Sequence, residues 1–336
     1  MFKLIITLLL QIAQAGEGDV SKIVKLYKLS TRSELYPPGG LVNELSMSYI
    51  ENDRLRTIEY YERCVMKETE ICKNWTLPLG NKQASVDMWD SMAPSFGLGD
   101  LPTHENDSFF RLLSEKQMFD KHLTVLDVGC GTGRYALALA PYCDKVVGTD
   151  LSPKMLSVAR ERAKDIGVSN VEFVCQDWHE LDLAEAGYER AFDLVFAHMT
   201  PAIQSAETFM KLTEAGRGWC AMSKPTRRTD TVSDALKSMF GLDEKRESSD
   251  DDILYAFELI WQRGMQPYLE YENQQWDMKK TLEEAYGLFI NRLKTYRELT
   301  PMEEEKAKAY LQSIAVDGIV SEQTNTIITT MYWKTI

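Results

Sequence analysis

Apolar positions recur at helical spacing through the first third of the chain and in short unbroken runs further on. Residues 3–15 and 19–29 each carry apolar side chains at intervals of three and four, separated by Gly16-Glu17-Gly18. Pro37-Pro38-Gly39-Gly40 then breaks the chain. A longer helical stretch comes next over about 41–75, with Leu45, Tyr49, Leu55, Ile58, Tyr61, Val65 and Ile71 roughly on one face, and Pro78 and Gly80 end it. The expected organisation is a helical segment at 1–85 and a second domain at 86–336. From about residue 120 short runs rich in β-branched residues alternate with helical ones. Strands are expected at 123–128, 145–149, 171–175, 192–197 and 218–223, and helices at 135–140, 154–166 and 206–215. Such alternation predicts an α/β fold, a parallel sheet with helices on both faces. Further on, helices are expected at 253–263, 281–296 and 301–315, and strands at 267–275 and 326–333. Pro301 opens the last helix, with Glu303, Glu304 and Glu305 in its first turn.

Composition adds exclusions. The 336 residues are 44% hydrophobic and 26% charged, which rules out wholesale disorder and a multi-span membrane protein. Net charge is −13, and the longest Lys/Arg run is two residues. A phosphate backbone is repelled overall, so no nucleic-acid partner and no membrane partner are expected. Residues 1–85 hold 11 basic and 10 acidic residues, so the acidity belongs to residues 86–336. Two short helices before a longer one fit a cap or a dimerisation element, which would make the protein a homodimer through these helices. They also fit a helix-turn-helix DNA reader, but no helix face there gathers several Arg, Lys, Asn or Gln. Met1-Phe2-Lys3, an apolar run to Leu10 and Ala13-Gln14-Ala15 outline a signal peptide. The run is short and holds Thr7, so the stretch reads better as a first amphipathic helix. Cys64, Cys72, Cys130, Cys143, Cys175 and Cys220 include no CxxC, and the four histidines complete no zinc spacing. Reduced thiols, no metal site and a cytoplasmic location are the corresponding expectations.

The chemistry concentrates after the first expected strand. Val125-Leu126-Asp127-Val128 runs into Gly129-Cys130-Gly131-Thr132-Gly133, and a helix opens at once. Glycines there let a backbone approach a ligand that a Cβ would exclude. The spacing is not that of a dinucleotide fingerprint, because Arg134 stands where its third glycine belongs. Asp127 would repel a pyrophosphate and attract an amine.

These residues resemble the first motif of class I S-adenosylmethionine-dependent methyltransferases. Asp150 ends the second strand, 21 residues after Gly129, in Gly148-Thr149-Asp150-Leu151-Ser152. Gln176-Asp177-Trp178 comes after the third strand, and Phe192-Asp193-Leu194-Val195 is similar to the family's fourth-strand motif. Singly, each has a bland reading: a tight turn, a helix cap at Asp150, a turn residue at Asp177. Four in order at this spacing do not. The resemblance covers about residues 85–336. It implies a Rossmann-like, seven-stranded, mostly parallel sheet whose last strand is antiparallel, S-adenosylmethionine as donor and S-adenosylhomocysteine as product. It also implies a donor site at Asp127, Gly129, Cys130, Gly131, Gly133, Asp150, Leu151, Asp177, Trp178 and His198. Asp127 would hold the amino group, Asp150 the ribose, and Asp177 with Trp178 the adenine.

His198-Met199-Thr200-Pro201 comes after the fourth strand, where relatives acting on nucleobase or glutamine amino groups often carry Asn/Asp-Pro-Pro-Tyr. This chain departs from that pattern. His198 is the candidate base, with a structural histidine as the alternative. Arg227 and Arg228, expected in a turn after the fifth strand, are candidates for binding an acidic group on the acceptor. Trp89 and Phe96 resemble the segment that closes over the donor. Tyr268, Tyr271, Trp276 and Trp333 are candidates for an acceptor pocket. The expected activity is methyl transfer to a small molecule bearing an acidic group. The alternatives are a methyltransferase acting on protein or RNA, and a donor-sensing regulator whose first segment reads DNA.

Overall fold

The computed structural model describes residues 68–76, 81–97, 99–242 and 249–336. The expected helices before residue 68, with their capping, dimerising or DNA-reading roles, lie outside the described residues. The described chain belongs to one unit that begins at Arg63 and ends at Ile336. The division expected at 85/86 falls inside a helix, α1 (Lys82–Phe96), whose start is capped where the Asn81 side chain accepts the Ala84 N–H.

Helix α2 (Ser108–Glu115) is next. Phe109, Phe110, Leu112 and Leu113 are all buried along it, each contributing roughly 1.5–3 kcal/mol. Asp107 caps it by accepting the Phe110 N–H at 2.9 Å. The alternating part then runs β1 (Thr124–Val128), α3 (Arg134–Leu139), β2 (Lys145–Asp150), α4 (Pro153–Asp165), β3 (Val171–Cys175), β4 (Phe192–His198), α5 (Ala206–Ala215) and β5 (Gly216–Asp230). The rest is α6 (Thr231–Met239), α7 (Ser249–Gln262), β6 (Tyr268–Thr281), α8 (Leu282–Lys294), α9 (Pro301–Ile314) and β7 (Ile319–Lys334).

The seven strands form one sheet in the order β3-β2-β1-β4-β5-β7-β6. The first five are parallel, and β7 runs antiparallel between β5 and β6. Successive strand side chains point to opposite faces, so two cores form. Leu126, Val128, Val195 and Met222 pack with α5 and α7 on one face, and Ile71 and Trp75 join that core. Val125, Leu194, Phe196 and Ala221 pack with α2, α3 and α4 on the other.

The expected turn at 224–228 is absent. The strand β5 leaves its partner β4 at the Ser223–His198 pair and continues to Asp230, still paired with β7. Pro225 suggested a break. Beyond Ser223, however, β5 has a neighbour on one side only, and an edge strand tolerates proline. Strands β5, β7 and β6 thus project past the C-terminal edge of the parallel strands as an arm. Helices α6, α8 and α9 cover the arm around a third core that includes Leu236, Phe289 and Leu311. Helix α1 packs against both α4 and α8, and so spans from the parallel sheet to the arm. The described cysteines form no disulfide. Among the described residues, no helix is long and apolar enough to cross a membrane.

Candidate functional site

The carboxyl ends of β1, β2 and β4 meet at the glycine loop. Gly129 has φ +70° and Gly131 φ +55°, left-handed values that cost a residue with a Cβ about 1 kcal/mol or more. The two glycines serve different ends. A Cβ on Gly129 would overlap the Thr200 side chain from the loop after β4. A Cβ on Gly131 would meet nothing within 4 Å, so its absence leaves room for a ligand. Gly133 caps α3, and the Cys130 thiol is buried, which holds its pKa well above the ordinary value and leaves it unreactive.

Asp127 is 3% exposed, and its Oδ2 has no hydrogen-bond partner among the described residues. Burial pushes this carboxyl up to about 8, against the Ala136 N–H and with the help of nearby Asp150. An orphaned acceptor beside an open backbone cradle fits a ligand's amino group. Asp150 Oδ2 accepts the Gly131 N–H and Oδ1 accepts the Ser152 N–H, both at 2.8 Å. Burial raises its pKa and three backbone N–H groups oppose the rise. Leu151 is half-buried between the loop and α4. These groups suit an amine and a vicinal diol, as the first and second motifs require.

Helix α1 lies against the ends of β1, β2 and β3. The Phe96 carbonyl accepts the Thr132 hydroxyl, Asp90 accepts the Ser152 hydroxyl at 2.5 Å, and the Lys82 ammonium holds Asp177 at 2.5 Å and Glu180 at 2.9 Å. Burial pushes the Asp177 carboxyl up, but the Lys82 ammonium and the His179 N–H outweigh it and leave it low. Trp89 and Phe96 meet edge to face at 6.1 Å on this helix. Trp178 does not join them. Its ring is 4% exposed within the core of the α5 face, and its indole N–H donates to the Thr208 carbonyl at 2.9 Å. A ring expected against adenine is a wall of the core, turned inward by its area and its satisfied N–H.

His198 ends β4. Its ring lies 4.4 Å from the Phe109 ring and 4.6 Å from the Tyr135 ring, and Nε2 is 3.1 Å from the Tyr135 hydroxyl. Nδ1 is buried and has no partner among the described residues. Burial, with the Arg134 charge nearby, pulls the imidazole down to about 3. The chain turns immediately afterwards at Met199, a bulky residue at φ +53° whose N–H is held by the Ser223 carbonyl.

Arg227 and Arg228 stand on β5, four and five residues past Ser223, or roughly 13–17 Å further along the strand. Arg227 is bound to Asp250, and Arg228 to Asp230 with Trp276 beneath it at 5.6 Å. The structure does not bring them to His198: Arg227 pairs with Asp250 through Nε on an exposed side chain, and Arg228 is forked onto Asp230. The four candidate pocket aromatics are also dispersed. Trp333 is fully buried and donates to Thr213, Tyr268 stacks on Tyr332, and Tyr271 is 66% exposed. Among the described residues, no group of three or more His, Cys, Asp or Glu could hold a metal ion. Sequence reasoning missed Lys82, Asp107 and Tyr135. An acidic residue ahead of the apolar Phe109-Phe110 pair is a readable helix cap, but nothing in the sequence places Tyr135 beside His198.

The strand order, the glycine cradle and two acidic residues at the strand ends define a nucleoside-binding α/β enzyme of the methyl-transferring kind. Residues 119–291 match the family model described as "Methyltransferase domain", and the chain belongs to this family of class I, S-adenosylmethionine-dependent methyltransferases. It is 36% identical over 106 residues to a ribosomal protein L11 methyltransferase of Polynucleobacter necessarius, covering 31% of this chain and 30% of that one. It is 40% identical over 80 residues to a malonyl-[acyl-carrier protein] O-methyltransferase of Acetivibrio thermocellus, covering 23% and 25%. The chain spans under a third of the length of these curated relatives. Among solved structures, it is similar to the [4+2]-cyclase SpnF, with a TM-score of 0.47 at 18% identity over 77% of this chain and 98% of that one. It is also similar to the YcgJ protein of Bacillus subtilis, with a TM-score of 0.43 at 19% identity over 67% and 97%.

Proposed function

We propose that the protein transfers a methyl group from S-adenosylmethionine to the hydroxyl or amino group of a small molecule held against His198. One observation carries the reading: the enclosed, unpartnered Nδ1 of His198 stands at the end of β4, next to the strand whose glycine loop forms the donor cradle. An acceptor N–H or O–H completes that nitrogen. The arm and α1, which cross the carboxyl edge of the sheet, favour a small acceptor over a polymer. The chain's net charge of −13 opposes RNA. Arg227 and Arg228 lend no support to an acidic group on the acceptor, since each already holds an aspartate.

When bound, the donor supplies a methyl group already activated on a sulfonium. Asp127 Oδ2 would take its amino group, the open backbone at Gly131 would make room for its methionine part, Asp150 would hold the ribose hydroxyls and Asp177 the adenine amine. Transfer then needs the acceptor in line and water excluded. His198 would orient the acceptor by accepting a hydrogen bond from it; as the methyl–sulfur bond breaks and the new bond to the acceptor forms, the displaced proton goes to solvent. A neutral imidazole adds no second positive charge beside a cationic donor.

The test traces a radiolabelled methyl group into three pools incubated with the full chain: small metabolites, total protein and total RNA. Label in the small-molecule pool, lost in His198→Ala, is the expected result. Label in protein or RNA instead would overturn the reading.

A further inference from the structure

We propose that Asp107 and Tyr135 are positioning residues that fix His198 as the Nε2–H tautomer and so keep its Nδ1 lone pair free for the acceptor. The inference rests on the reading of His198 as the group that contacts the acceptor.

Counting protons fixes the tautomer. The Tyr135 hydroxyl has one, and two acceptors lie within reach. Asp107 Oδ2 is 3.0 Å away and His198 Nε2 3.1 Å away. The Asp107 carboxylate has the stronger claim, because it carries charge and has no proton to give in return. It is already tied down on its other side: Oδ1 caps α2 through the Phe110 N–H, and Arg134 reaches Oδ2 at 3.2 Å. The Tyr135 O–H therefore donates to Asp107. Its oxygen can then only accept, and the single donor in range among the described residues is His198 Nε2–H. A neutral imidazole with its proton on Nε2 has a bare lone pair on Nδ1.

The surroundings hold this chain of three groups rigidly. Asp107 is 9% exposed at its side chain, and Tyr135 is 7% exposed. Phe109 meets Tyr135 edge to face at 5.3 Å and lies along the His198 ring at 4.4 Å. Burial raises the Tyr135 hydroxyl well above its ordinary pKa, which keeps the proton on it. The arrangement spans three elements, α2, α3 and β4. It gives α2 a task besides packing, since the residue that starts the helix also orders the site. The opposite tautomer would present an N–H at Nδ1 and repel the very proton that an acceptor hydroxyl or amine must point there.

Asp107→Asn separates this role from a structural one. Asparagine is as good a helix cap as aspartate, so α2 is kept. With its carbonyl on the Phe110 N–H, its NH2 faces the Tyr135 oxygen as a donor. The Tyr135 O–H must then turn to His198 Nε2, and the imidazole proton moves to Nδ1. Long-range proton–nitrogen NMR of the four histidines of the full chain, with His198 assigned from His198→Ala, reads the tautomer directly. The expected result is Nε2–H in the native chain, Nδ1–H in Asp107→Asn at unchanged melting temperature, and a mixture in Tyr135→Phe. Methyl transfer should fall about tenfold or more in both variants, with donor affinity unaltered. An unchanged tautomer in Asp107→Asn would overturn the relay while leaving His198's contact with the acceptor standing, whereas Nδ1–H in the native chain would overturn both. An inverted tautomer with undiminished methyl transfer would overturn that contact, and this inference with it.

Discussion

The ammonium of Lys82 lies 2.5 Å from Oδ2 of Asp177, so a residue of helix α1 holds the carboxylate that the donor's adenine amine would need. The two claims compete. Lys82→Ala, which leaves only a surface side chain shorter, is expected to tighten S-adenosylmethionine several-fold in calorimetric titration. Asp177→Ala should weaken it. Unchanged or weaker binding in Lys82→Ala would mean that the ion pair and the adenine do not share Asp177.

Neighbouring glycines should fail in different ways. In Gly129→Ala the new methyl overlaps Thr200 in addition to its left-handed backbone, and a large fall in melting temperature is expected. Gly131→Ala has the backbone strain alone, about 1 kcal/mol, but places a methyl in the open cradle. Its fold should survive while donor binding is lost. Thermal melts beside titrations distinguish the two.

Donor affinity should depend on pH through Asp127. Its folded carboxyl is pushed up to about 8, so near neutrality the free protein holds a proton there that an incoming ammonium must displace. Affinity is expected to rise between about pH 6 and 8, by at most about tenfold per unit for one proton. Asp127→Asn should flatten the slope. The same shift has a stability consequence of defined sign. A carboxyl whose folded pKa is raised favours the fold at low pH. That contribution is complete below about 4 and is lost as pH rises through about 8. A slope of affinity unchanged in Asp127→Asn would exclude this carboxyl as the group responsible.

Trp178→Phe tests the inward placement of that ring. Losing the hydrogen bond to the Thr208 carbonyl and shrinking a fully packed ring should destabilise the protein by about 1–3 kcal/mol in denaturant melts. Donor affinity should not move. A tenfold loss of binding would return the ring to the adenine site.

Legibility in the sequence tracked the physics of each element. Val171–Cys175 and Ala206–Ala215 match their expected bounds, because a buried β-run and a capped amphipathic helix are local signals. The donor loop was equally local, a strand, three glycines and a helix in succession. The extension of β5 past Ser223 was hidden behind Pro225, whose tolerance depends on a missing neighbour strand that no local pattern reports. Trp178 was misplaced for a related reason: the sequence shows that a ring comes after β3 but not which way it turns. Arg227 and Arg228 were legible as charges, whereas the aspartates that occupy them, Asp250 and Asp230, depend on how α7 and the arm pack. Asp107, Tyr135 and His198 come from three separate elements, so their contact exists only once α2 and α3 close on the same sheet face.

The arm has a further consequence. Its strands are the sheet's own β5 and β7 carried onward, with one register shift between Thr226 and Thr229 and no linker. Tilting it would mean breaking a continuous ladder of backbone hydrogen bonds. Any opening at the donor cradle would therefore fall to α1, held there by side-chain contacts at Lys82 and Asp90 and by the Thr132–Phe96 hydrogen bond. Exchange of spent donor should then keep time with the release of one helix, while the arm keeps a fixed frame.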